Sequence, residues 1–136
     1  MIITKETDYA LRILRVLLDG EKHSVAEMSE TELIPNQFAY QILRKLSAGN
    51  LVQVSRGALG GCALSCDLDA TSLYDLMGVM GERGVLCACM EPGYECRWQD
   101  EHGRCAIHCQ LTALQRKQDE AFRAVSLRRL LTGGSD

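Results

Sequence analysis

The chain has 136 residues, 46% of them hydrophobic and 24% charged, with a net charge of −3. That balance belongs to a compact domain and excludes a disordered chain. No apolar run approaches the ~18–20 residues of a membrane span, and the opening MIITKETDYALRIL mixes acids and an arginine into its apolar positions, unlike a secretory signal; a cytoplasmic protein without membrane contact is expected.

Ile3, Ala10, Leu11, Leu14, Leu17 and Leu18 recur at helical spacing, which predicts a helix over 5–18 with Thr4 as N-cap and Asp19-Gly20 as its end. Ser24-Val-Ala-Glu27 reads as a capping box and opens a short helix over 25–31. Pro35 suits the first position of a third helix, whose Phe38, Ile42, Leu43 and Leu46 form a buried face until Gly49 stops it. LVQVS alternates as a strand, RGALGG reads as a glycine-rich turn, and CALS as the return strand.

Three helices and a hairpin make the winged helix-turn-helix pattern, with a plain helical bundle as the alternative. The third helix would offer Asn36, Gln37, Tyr40, Gln41 and Arg44 to the major groove, and Arg56 at the wing suits the minor groove or a phosphate. The overall charge is acidic, yet residues 33–66 hold no acid and carry Arg44, Lys45 and Arg56. A local basic face of this kind is compatible with DNA.

ATSLYDLMGVMGERG predicts a fourth helix capped by Thr71 or Ser72, with Leu73, Leu76, Met77 and Met80 facing the core. The segment from Cys87 to Cys109 contains Pro92, Gly93 and Gly103 and is expected to be a loop. A long helix follows from about Ala106, with Ile107, Leu111, Leu114, Ala121, Phe122 and Val125 as its apolar stripe. Such a stripe needs a partner, either its own domain or a second copy, and symmetric operators favour the dimer. Ser126 would cap a final turn, LRRLL, before a frayed tail over 132–136.

CACMEPGYECRWQDEHGRCAIHC holds five of the seven cysteines and two of the three histidines. In a reducing compartment that density points to metal or redox chemistry rather than a disulfide framework. Cys62 and Cys66, on the wing, read as small hydrophobes. No phosphate-binding glycine loop is visible, and GALGG lies in a hairpin, so an enzyme is not expected.

TKETDYALRIL, the helix-turn-helix, RGALGG, the cysteine segment and the terminal long helix resemble, in the same order, the iron–sulfur winged-helix transcription regulators of the IscR/NsrR type, the Rrf-two family. The resemblance covers nearly the whole chain. It implies a mainly α fold with a small β-hairpin wing. Residues 1–66 would be the DNA-binding unit, and residues 67–136 the fourth helix, the cysteine segment and a dimerisation helix, within one compact domain. It implies a homodimer on a double-stranded DNA operator, sensing redox state, nitric oxide or cluster supply through a 2Fe-2S or 4Fe-4S cluster. The family's three cysteines fall on Cys89, Cys96 and Cys105, with His108 as fourth ligand in the manner of one branch, or Asp8 from the partner subunit in the manner of the other. The chain departs from the family in its wider cysteine spacing and in Cys62, where an aromatic residue is common.

Other chemistries stay open. Cys89, Cys96, Cys105 and His108 also form a valid zinc set. A thiol redox switch or an electron-transfer protein would use the same residues. Cys109 lies one turn from Cys105, and Cys87, two residues from Cys89, could substitute in a different geometry.

Overall fold

The computed structural model describes residues 1–134. Helix α1 (Lys5–Val16) runs into a 3₁₀ turn, Leu17–Asp19, and stops at Gly20 with φ 76°. Its face Tyr9, Ala10, Ile13 and Leu14 is buried, as is Leu17 in the turn. Thr4 holds the N-cap position, but its hydroxyl does not cap the helix. The Thr4 and Thr7 hydroxyls both donate to the Glu82 carboxylate. An acid at the start of α1 meets the positive end of the helix dipole, so Glu82 does from a distance what a local cap would do.

In α2 (Val25–Glu32) the capping box forms: Ser24 Oγ accepts from the Glu27 N–H at 3.1 Å, and Glu27 accepts from the Ser24 N–H at 3.2 Å. Leu33, at φ 56°, turns the chain toward α3 (Asn36–Ala48). Pro35 is the cap residue of α3 rather than its first helical residue: its backbone is extended at ψ 134° while its carbonyl accepts from Ala39 at 3.0 Å. The buried stripe of α3 is Ala39, Ile42, Leu43 and Leu46. Phe38, expected in the core, is exposed; it lies at the margin of that stripe and tilts against the Tyr9 ring at 6.2 Å.

Strands β1 (Val52–Ser55) and β2 (Gly61–Leu64) pair antiparallel, Val54 opposite Cys62. His23 and Cys62 exchange backbone hydrogen bonds of 2.9 and 2.8 Å, tying the hairpin to the segment entering α2. The wing turn uses its glycines. Gly57 has φ 100°, and a side chain on Gly60 would stand 2.4 Å from the Ser55 carbonyl oxygen.

Ser72, not Thr71, caps α4 (Leu73–Val79), accepting from the Asp75 N–H at 3.1 Å. Leu73, Leu76, Met77 and Met80 are buried as expected. The cysteine segment is not all loop. It holds a 3₁₀ turn, Ala88–Met90, and a short helix α5 (Arg97–His102). Two i,i+4 pairs support α5: Arg97 to Glu101 at 2.8 Å, and Trp98 stacked on His102 at 4.6 Å. Helix α6 (Ala106–Arg123) buries none of its side chains, and Ile107 is 71% exposed. Helix α7 (Leu127–Thr132), capped by Ser126, returns to the core. The Leu73 N–H bonds the Val125 carbonyl at 2.9 Å and the Leu127 N–H bonds the Thr71 carbonyl at 2.8 Å, so the starts of α4 and α7 lie side by side. Leu127 is fully buried, a gain of roughly 1.5–3 kcal/mol for a side chain of this kind. The core runs from Tyr9 to Leu127 and joins α1, α2, α3, the hairpin, α4 and α7. Of the expected frayed tail, residues 135–136 lie outside the described residues.

Candidate nucleic-acid interface and candidate metal centre

Helix α3 packs one face on α1 and α2 and leaves the opposite face open. Gln37, Tyr40, Gln41 and Arg44 follow the i, i+3, i+4, i+7 spacing of a single face, and all are exposed, Tyr40 by 60%. Asn36 at the helix start and Arg56 on the wing are exposed as well. Lys45 differs from its neighbours: its ammonium is 2.6 Å from Glu6, so it ties α3 to α1. Arg44 and Arg56 are thus the cations of residues 33–66 left for a phosphate or a base edge.

Around the 3₁₀ turn Ala88–Met90 and the start of α6, Cys89, Cys105 and His108 are the sulfur and nitrogen donors linked by contacts. Cys105 caps α6, its sulfur 3.5 Å from the His108 N–H. The His108 ring Nδ1 lies 3.4 Å from the Cys89 sulfur. The backbone N–H and thiol of Cys89 hold the Cys87 thiol below its ordinary pKa, whereas donating to Cys87 pushes Cys89 up. Cys109 is engaged by Arg104, whose Nε donates to its sulfur at 3.1 Å. Cys96 holds the N-cap position of α5, but its thiol makes no capping hydrogen bond. Asp8 pairs with Arg12 at 3.0 Å and touches none of the cysteines of its own chain.

The donors are soft sulfur and one imidazole, the set that iron–sulfur clusters and zinc take. Among the described residues no three His, Cys, Asp or Glu side chains already enclose a metal position, so the donors meet as touching pairs. Cys62 has a different character. It is buried, and burial pushes its thiol up to about 11; burial raises Cys66 too. Both suit small hydrophobes better than nucleophiles or ligands. Two groups near the site carry no local sequence signal. Glu82 finds Thr4 and Thr7 only through the fold, and the attachment of Arg104 to Cys109 depends on how α6 begins.

The model of the Rrf2 family, described as iron-dependent transcriptional regulator, matches residues 3–133. The chain belongs to the Rrf2 family. Its class is therefore that of a DNA-binding transcriptional regulator, and such regulators are typically not enzymes. The chain is 31% identical over 125 residues to Protein aau3 of Rhizobium meliloti, covering 90% of this chain and 77% of that one. Among solved structures, T. potens IscR has the same fold at TM-score 0.70 and 15% identity, over 98% of this chain and 88% of the other. CymR, the global cysteine regulator of B. subtilis, matches at TM-score 0.68 and 20% identity, over 98% of both chains. No helix of the described residues is long and apolar enough to cross a membrane.

Proposed function

We propose that this Rrf2 protein is a homodimeric operator-binding regulator whose DNA affinity is set by an iron–sulfur cluster held in the segment 87–109. The observation that carries this reading is the contact of the Cys89 sulfur with the His108 imidazole across two separate elements, at the helix start that Cys105 caps. IscR and CymR share the fold at low identity, so the fold alone does not choose what is sensed, and the donor group is what supports a cluster.

Cys105 caps α6 and His108 follows three residues later in its first turn, so both stand at one helix start, and the Ala88–Met90 turn brings Cys89 onto the imidazole. His108, rather than Asp8 of a partner subunit, supplies the non-thiolate donor. When bound, the cluster supplies iron that reacts with oxidants and nitric oxide. The chain's residues do the rest: they fix the segment between α4 and α6 in one arrangement and bring α6 to a partner.

That helix leaves Ile107 and Leu114 71% and 54% exposed. An 18-residue amphipathic helix without buried side chains needs a covering surface, and a second copy of α6 provides one. The dimer would set two α3 helices about one turn of DNA apart, ~34 Å, on a palindromic operator.

Absorption spectra and iron content of anaerobically prepared His108→Ala and Asp8→Ala proteins test the site. Loss of visible sulfur-to-iron absorption in the first and retention in the second supports the reading. The opposite pattern moves the ligand to Asp8.

A further inference from the structure

Resting on the reading of this chain as an operator-binding dimer, we propose that Leu59, at the tip of the wing, is an apolar wedge that enters the minor groove beside Arg56 and bends the operator. The hairpin grows outward from the core. Val52 at its base is buried, Val54 two residues on is exposed, and Leu59 at the tip is 91% exposed. The last paired row is Ser55 opposite Gly61, which leaves residues 56–60 as the tip. The Gly60 N–H bonds the Gly57 carbonyl at 3.0 Å, so Ala58 and Leu59 are the two central residues of a tight turn. A side chain on Gly60 would collide with the Ser55 carbonyl oxygen, and Gly57 stands at φ 100°, so both glycines hold this turn in one shape. Nothing lies within 4 Å of the place a side chain on Gly57 would take, which leaves the tip clear on that side.

A single exposed leucine is ordinary on a protein surface. The setting of this one is not. Leu59 takes no part in the core that joins Tyr9 to Leu127, so the fold does not use its side chain. Arg56 is exposed three residues before it, residues 33–66 hold no acid, and the chain belongs to a class of DNA-binding regulators. A cation and an apolar side chain on one hairpin tip match two properties of a minor groove: its negative potential, and base steps that an apolar wedge can part. Insertion buries the leucine and unstacks one step. Unstacking costs least at the flexible pyrimidine–purine steps, TA and CA/TG. The wing would thus select such a step by its deformability, at a position where no side chain hydrogen-bonds a base.

The test uses the full-length chain and an operator fragment selected in vitro, labelled at its two ends with a fluorescent donor and acceptor. Wild type should bring the ends closer on binding. Leu59→Ala should lose most of that bend and bind about tenfold more weakly, the order expected for a leucine side chain taken out of water. Leu59→Met should keep the bend, and circular dichroism of each variant checks that it folds. An unbent wild-type complex, or a Leu59→Ala complex bent as wild type is, overturns the proposal, whatever happens to affinity. A wild-type chain that selects no operator sequence overturns the underlying reading instead, and is recognised before any variant is made.

Discussion

The Glu82 carboxylate accepts a hydrogen bond from Thr7, whose side chain is fully buried near the start of α1. Glu82 belongs to the connection that leads from α4 into the cysteine segment, whereas α1 packs on α3, the helix with the exposed polar face. The pair therefore joins the two halves of the chain. Thr7→Val keeps the shape and removes the hydroxyl. It should lower stability by about 1.5 kcal/mol, the low end for a bond to a charged group because Thr4 still donates. A lower urea midpoint at unchanged slope would show it. The same variant should narrow the difference in operator affinity between cluster-loaded and cluster-free protein.

Ser29 is the opposite case. Its Oγ is buried on α2 and has no hydrogen-bond partner among the described residues. Ser29→Ala removes an unsatisfied polar atom and improves helix propensity, so stability should stay level or rise by up to about 1 kcal/mol. Thermal unfolding of the two proteins decides; a clear loss would reveal a partner for the hydroxyl.

His23 gives the fold a pH dependence. Its ring lies 2.7 Å from Asp19 and 3.3 Å from Glu27. The bond to Asp19 chiefly raises its pKa above the ordinary 6.5. A raised folded value means the protonated form is favoured by folding. The stabilisation is complete below 6.5 and is lost as pH rises through the folded value. Asp19 is lowered below 3.8, first by the Glu21 N–H and then by His23, so its share is present above 3.8 and is lost as pH falls through its folded value. Denaturation of wild type and His23→Gln across this range should show the gap between them closing as pH rises. A gap that widens with pH would contradict the pairing.

The open face of α3 and the wing make a prediction about DNA. Arg56→Ala should weaken operator binding by roughly 1–3 kcal/mol. A loss confined to the operator marks base contact. An equal loss on all sequences, with the salt slope reduced by about one, marks a phosphate. Lys45→Ala should matter much less for DNA because Glu6 already holds that ammonium.

Local signals in the sequence carried far. The Ser24 box, the strand through Val54, the glycines of the wing and the Ser126 cap each depend on residues within a few positions of one another, and each forms, although Val54 is exposed where strict alternation would bury it with Val52. Where sequence reading fell short, the cause was tertiary. Phe38 has the right spacing for the core but lies just outside the face that α1 covers. Helix α5 has no apolar stripe to betray it; it rests on the Arg97–Glu101 pair and the Trp98–His102 stack. Thr4 looks like a cap, yet its hydroxyl serves a carboxylate 78 positions away. In the cysteine segment, residue types pointed to soft-metal chemistry, but only the turn at Ala88–Met90 tells which thiols approach His108.

Gel-shift titration of one operator fragment with cluster-loaded and cluster-free protein, at a single salt concentration, asks whether the donors around His108 govern DNA binding. A ligand shifts an equilibrium only through its different affinity for the two states. Both forms should be folded dimers, and their operator affinities should differ, with His108→Ala binding as the cluster-free form does. Equal affinity of the two dimeric forms would contradict a sensory role and leave the metal group with a structural one.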